Sequence, residues 1–111
     1  MDSDWMHAGV ARATITPPVG ATLVGYFARK SGSTSERDPL YATALVLDDG
    51  QDRVALLSCD LLWVHPSLVD EVRASVHEAT DIAPDHVMIC CTHTHSGPPG
   101  YNGPPRPDPL L

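Results

Sequence analysis

Basic residues are scarce in this chain: Lys and Arg number 7 against 14 Asp and Glu, a formal net charge of −7 over 111 residues. Such a chain has no cationic stripe to neutralise a phosphate backbone, so nucleic acid is excluded as a partner class, and anionic membrane surfaces are disfavoured by the same repulsion. Long apolar runs are lacking as well. The best stretch, Val54 to Val64, is interrupted by Asp60 and falls well short of the roughly 20 residues that cross a bilayer, so no integral membrane segment is expected. The chain opens Met1-Asp2-Ser3-Asp4, acidic where a secretory signal is basic, with no apolar stretch behind it; the expectation is an unexported, cytoplasmic protein. Cysteine is sparse at three residues, with Cys90 and Cys91 adjacent. Vicinal residues on a strand point to opposite faces, which excludes a disulfide framework; the cysteines read as small buried apolar residues, with a thiolate zinc ligand as the lesser alternative.

What is present suits one small domain. The chain is 42% hydrophobic and long enough for a modest core. His7 to Ile15 reads as a strand that stops at Thr16-Pro17-Pro18, because proline removes the ladder donor. Thr22 to Phe27 reads as a short extended piece. The polar Ala28–Pro39 stretch reads as a surface loop, with Arg29 and Lys30 as its solvated charges. Tyr41 to Leu47 and Arg53 to Ser58 are β-rich runs around Asp49-Gly50, the signal of a hairpin. From Pro66 the period changes: Leu68, Val69, Val72, Val76 and Ala79 recur at helical spacing. The helix starts either with Pro66 as its first residue or with Ser67 as a cap paired to Asp70. Ala83-Pro84 ends it, and Val87–Cys91 has the composition of a buried strand.

The expected fold is therefore α/β: a mixed sheet in β-β-β-α-β order, a hairpin plus a right-handed crossover that sets the last strand parallel to Arg53–Ser58. Residues 1–98 form the expected domain and 99–111 a Pro-rich, disordered tail. Parallel strands present their carboxyl ends on one edge, where ligands of open α/β sheets bind. Asp60 and His93-Thr94-His95 fall at that edge.

If the backbone stays extended through Thr94, His93 and His95 project to the same side, and Ser96-Gly97-Pro98 turns the chain just beyond them. Neutral imidazole is a good zinc ligand, and a catalytic zinc takes three protein ligands plus a water, of which this motif supplies at most two. Asp60 either accepts the second ring N–H of a zinc-bound histidine or satisfies turn amides. Gly25 either needs a positive φ or close approach, or is a simple turn residue. His7, His65, His77 and His86 read as surface or internally satisfied polar residues.

Five segments in order carry a resemblance. They are Ala8-Gly9-Val10-Ala11-Arg12-Ala13-Thr14-Ile15-Thr16-Pro17-Pro18, Leu23-Val24-Gly25-Tyr26, Asp38–Leu47, Ser58-Cys59-Asp60-Leu61 and Thr92-His93-Thr94-His95-Ser96-Gly97-Pro98. Together they resemble the N-terminal part of the neutral/alkaline non-lysosomal ceramidase family. The resemblance implies a zinc-dependent amidohydrolase that splits a lipid-like N-acyl amide, ceramide, into sphingosine and a fatty acid. It implies that His93 binds zinc and that His95 and Gly25 lie against the substrate. It also implies a partner segment: in that family a second histidine, a glutamate and a tyrosine complete the zinc shell far beyond position 111. Tyr101–Leu111 holds no histidine or glutamate, so no catalytic set is complete and the chain alone is expected to be inactive. The alternative is a non-catalytic small α/β module with at most a weak His-x-His metal pair.

Overall fold

Alternating aliphatic residues in three runs, and a continuous aliphatic run in a fourth, build the sheet. The computed structural model describes residues 5–26 and 28–101. Strands β2 (Tyr41–Asp48) and β3 (Arg53–Cys59) form the antiparallel hairpin. Strand β1 (His7–Thr14) lies antiparallel along the other side of β2, pairing His7 with Asp48 through to Thr14 with Tyr41. Strand β4 (Val87–Cys91) lies parallel to β3, so the sheet is mixed, in the order β1-β2-β3-β4. Helix α1 (Pro66–Thr80) and a 3-10 turn at Pro84–His86 carry the crossover from β3 to β4.

Helix α1 starts at Pro66, the first of the two starts the sequence allows, and Ser67 is not its cap. His65 caps it: the His65 Nδ1 accepts from the Ser67 backbone N–H at 3.1 Å, while proline at the first position needs no partner for its nitrogen. At the far end Asp81 takes a left-handed φ of 64° and donates its N–H to the His77 carbonyl. His77 and His86 are internally satisfied, their Nδ1 atoms donating to the carbonyls of Ile82 and Arg53.

The core is small. Ala55, Ile82 and Val87 are 2–3% exposed, with Val46, Leu57, Val76 and Ile89 packed around them. Each valine or isoleucine so buried contributes about 2 kcal/mol. These residues mark the face of the sheet that α1 covers. Alternation puts Leu45, Leu47, Val54 and Leu56 on the opposite face, beside Val10 and Met88, which are 73% and 61% exposed. Aliphatic side chains on both faces are the pattern of a sheet covered on both faces.

One expectation needs correction. The cysteines are not uniformly buried: Cys90 is exposed on the face away from the helix, and Cys59 and Cys91 are half-buried. Residues 100 and 101 pack back on the start of the helix. The Gly100 carbonyl accepts from the His65 N–H at 2.6 Å, and the Tyr101 ring meets His65 edge-on at 4.8 Å. A Cβ on Gly100 would overlap the Trp63 carbonyl, so only glycine fits this approach. The Pro-rich residues 102–111, the acidic residues 1–4 and Phe27 lie outside the described residues. Among those described, no helix is long and apolar enough to cross a membrane.

Candidate functional site

Beyond Cys59 and Cys91 the two parallel strands end, and their continuations are stitched together. The Thr92 N–H donates to the Cys59 carbonyl and the His93 N–H to the Leu61 carbonyl, both at 3.0 Å. His93 itself stands at φ 65°. A non-glycine residue is uncommon there, although histidine, like asparagine and aspartate, is enriched several-fold; the conformation costs of order 1–3 kcal/mol, and such outliers concentrate at functional sites. The expected extended path through Thr94 is thus broken at His93, and strand alternation is not what brings the two histidines together.

Backbone carbonyls do so instead. The His93 Nδ1 lies 2.9 Å from the Leu62 carbonyl and the His95 Nδ1 lies 3.0 Å from the Gly25 carbonyl. A carbonyl only accepts, so each Nδ1 carries a proton, and in the neutral ring the lone pair then sits on Nε2. The ring centroids are 5.1 Å apart at 80°. Gly25 comes to this position from far away in sequence, delivered by the Val24–Gly97 bridge, in which the Val24 N–H donates to the Gly97 carbonyl at 3.0 Å. Gly25 has φ 115°, and a Cβ there would lie 2.7 Å from the His95 Nδ1. Both facts require glycine, and its carbonyl sets the orientation of His95.

Asp60 sits elsewhere. Its Oδ2 accepts from the Tyr41 N–H at 2.9 Å and its Oδ1 from the Thr92 hydroxyl at 3.1 Å, so it ties the start of β2 to the exit of β4. The ring N–H of His93 goes to Leu62, not to this carboxylate. Burial pushes the Cys59 thiol above its ordinary range, with Cys90 and Asp60 adding to the effect. Burial does the same at Cys91, helped by Cys59 and Cys90. A raised pKa is opposite to what a thiolate ligand needs.

Three contributors escape sequence reasoning. Leu62 acts through a carbonyl, which every residue possesses and no sequence pattern marks. Tyr26 packs its ring 5.1 Å from that of His95. Arg29, expected as a solvated charge, is half-buried with its guanidinium 5.0 Å from the Tyr26 ring centroid. Among the described residues no group of three histidines, cysteines or carboxylates is placed to hold a metal. The His93/His95 pair thus stands without a third such side chain beside it among the described residues.

Comparison with known proteins places the chain in a family. The family described as "Neutral/alkaline non-lysosomal ceramidase, N-terminal" matches residues 6–104. The chain is 35% identical over 97 residues to the neutral ceramidases of Drosophila pseudoobscura pseudoobscura and Drosophila melanogaster, covering 84% of this chain and 14% of theirs. The crystal structure of neutral ceramidase from Pseudomonas aeruginosa superposes with a TM-score of 0.79 at 24% identity, over 89% of this chain and 16% of that one. At that identity the superposition speaks for the fold. The chain thus spans about one seventh of the curated relatives it matches. With the profile matching most of its residues, it belongs to the neutral/alkaline non-lysosomal ceramidase family, in the N-terminal region of that family.

Proposed function

We propose that this chain is the N-terminal segment of a zinc-dependent, ceramidase-like amidohydrolase, with His93 as a zinc ligand and His95 and Gly25 as the substrate side of the site. The observation that carries the reading is the pair of imidazoles, each fixed through Nδ1–H to a backbone carbonyl with Nε2 left to face a ligand. Zinc fits this donor chemistry as a partial set. The neutral imidazole of His93 suits the ion, and the remaining ligands come from outside these 111 residues. When bound, zinc polarises the amide carbonyl and lowers the pKa of a water.

The chain's own residues do the rest. The left-handed turn at His93 holds its ring against the Leu62 carbonyl, fixing the tautomer before any ligand arrives. His95, neutral, accepts the amide N–H of a substrate at Nε2; protonated, it donates there to a developing oxyanion. Gly25 sets that ring's orientation. The substrate is an N-acyl amide of the ceramide type, and the short chain alone is inactive because its ligand set is incomplete.

The test is a chimaera in which residues 6–101 replace the matching segment of a Drosophila neutral ceramidase. Hydrolysis of an N-acyl amide with bound zinc is the expected result. His93→Ala is expected to lose both zinc and activity. A chimaera that keeps full zinc stoichiometry with His93→Ala would remove His93 from the metal, and amide hydrolysis by the unsupplemented 111-residue chain would overturn the incomplete-site reading.

A further inference from the structure

His95 is held by more than its hydrogen bond. The bond from Nδ1–H to the Gly25 carbonyl, at 3.0 Å, fixes the tautomer but leaves the imidazole free to swing about the N–H···O line. Two other rings limit that swing: His93 at 5.1 Å and 80°, and Tyr26 at 5.1 Å and 55°. Gly25 and Tyr26 are consecutive. A single dipeptide therefore supplies both the carbonyl that orients the imidazole and a ring that packs on it.

A ring braces another only if it is itself fixed, and Tyr26 is 57% exposed. An exposed side chain left to itself changes rotamer within nanoseconds. Arg29 supplies what burial does not. Its backbone N–H donates to the Tyr26 carbonyl at 3.3 Å, closing a turn, and its guanidinium lies over the Tyr26 ring, 5.0 Å from the centroid. Nη1 of that guanidinium is buried without a hydrogen-bond partner, so this end of the side chain is closed to solvent and to a ligand. What the guanidinium does touch is the tyrosine. The segment as a whole is anchored one residue earlier, where the Val24 N–H donates to the Gly97 carbonyl at 3.0 Å.

We propose that Tyr26 and Arg29 are positioning residues for His95: the Tyr26 ring holds the imidazole with Nε2 toward the substrate, and Arg29 holds the Tyr26 ring. Groups that meet a substrate must be kept within about 0.5 Å and 10–20° of their working geometry, so a residue that only braces such a group still controls turnover. The catalytic part of this inference rests on the assignment of His95 to the substrate side above; the bracing rests on the ring geometry alone.

The first measurement needs neither zinc nor substrate. In the 15N-labelled 111-residue chain at pH 8, where free imidazole is neutral, the His95 ring nitrogens report the tautomer. Wild type and Tyr26→Phe, which keeps the ring, are expected in the Nδ1–H form. Tyr26→Ala is expected to drift toward the mixture of a free histidine, Arg29→Gln to drift less, and Arg29→Lys, which keeps a cation over the ring, to stay near wild type. His93, bonded to Leu62, should keep its signals throughout, and urea midpoints should not move. Wild-type His95 signals in Tyr26→Ala overturn the bracing. Tyr26→Phe behaving as Tyr26→Ala transfers the role to the hydroxyl and overturns it too. A fall in the urea midpoint, or His93 signals that move with those of His95, makes Tyr26 a general support and overturns the positioning role.

The second measurement uses the chimaera described above. Tyr26→Ala is expected to lower kcat/KM about tenfold with zinc content unchanged, and Tyr26→Phe to restore it. Arg29→Gln should cost less, and the double variant should be no worse than Tyr26→Ala, because Arg29 acts through that ring. Losses that multiply overturn the Arg29 step. Wild-type turnover in Tyr26→Ala, with a displaced His95 tautomer, overturns the catalytic part and leaves the bracing. A chimaera that hydrolyses no amide overturns the amidohydrolase reading and the catalytic part with it, and the tautomer result still decides the bracing.

Discussion

Gly50, in the hairpin between β2 and β3, and His93, at the exit of β4, both stand in the left-handed region, at φ 93° and 65°. The two turns are built in opposite ways. Around Gly50 every partner is local: its N–H donates to the Asp48 carboxylate at 2.7 Å, and the Asp49 carboxylate accepts from the amides of Gln51 and Asp52 at 2.9 and 2.8 Å. Glycine takes this conformation without strain, so the turn is self-sufficient. Around His93 both hydrogen-bond partners are remote in sequence, on Leu61 and Leu62, and the residue is one that pays to be there. A turn that only reverses the chain is made cheaply from neighbours. A turn that must present an imidazole is strained, and the rest of the fold holds it.

The largest effect should come from cutting the long-range support. Gly25→Ala adds left-handed strain and places a Cβ 2.7 Å from the His95 ring, costing about 3 kcal/mol in a urea denaturation series. The His95 Nδ1–H resonance should shift as its carbonyl partner moves. Wild-type stability with an unshifted His95 would mean that Gly25 is an ordinary turn residue. Asp60→Ala is next. It frees the Tyr41 N–H and the Thr92 hydroxyl from a charged acceptor, a loss of about 2 kcal/mol by the same measurement. Zinc affinity should be unchanged at His93, since the carboxylate does not touch that ring; a drop in affinity would give Asp60 a role in orienting the ligand.

A smaller effect isolates the strain at His93. Both His93→Ala and His93→Gly lose the bond to the Leu62 carbonyl, but only glycine relaxes at φ 65°. The glycine variant should be the more stable of the two by about 1 kcal/mol. Equal stabilities would mean that His93 carries no strain.

The same contrast explains what was legible in the sequence. The hairpin, the helix and the last strand follow from Asp49-Gly50, the spacing of Leu68, Val72 and Val76, and the run Val87–Cys91. These are local signals read by local physics. The pairing of His93 with His95 was legible as a motif, but the reason they meet was not. It depends on a non-glycine left-handed residue and on carbonyls of Leu62 and Gly25, and a carbonyl leaves no mark on residue identity. Arg29 shows the complementary failure. Composition makes an arginine in a Ser/Gly loop look solvated, and only packing on Tyr26 reveals a buried donor. His65 failed the same way, since an imidazole is an unusual helix cap and Ser67 was the conventional candidate.

The smallest effect tests the local turn. Accepting from the Asp52 and Gln51 amides holds the Asp49 carboxyl below its ordinary 3.8. The unfolded chain therefore takes up this proton first as the solution is acidified. The stabilisation from Asp49 is complete above the ordinary aspartate value and is lost as pH falls through the lower folded value. Asp49→Asn keeps an acceptor but not the charge, so the gap between wild-type and variant urea midpoints should be open at pH 7 and should narrow as pH falls below 4. Because Asp49 is exposed, solvent screens much of the charge, and added salt should narrow the gap at pH 7 as well. A gap that is unchanged between pH 7 and pH 3 would mean that the hairpin is held by Gly50 and its backbone alone, and the turn would then owe its stability to conformation and not to charge.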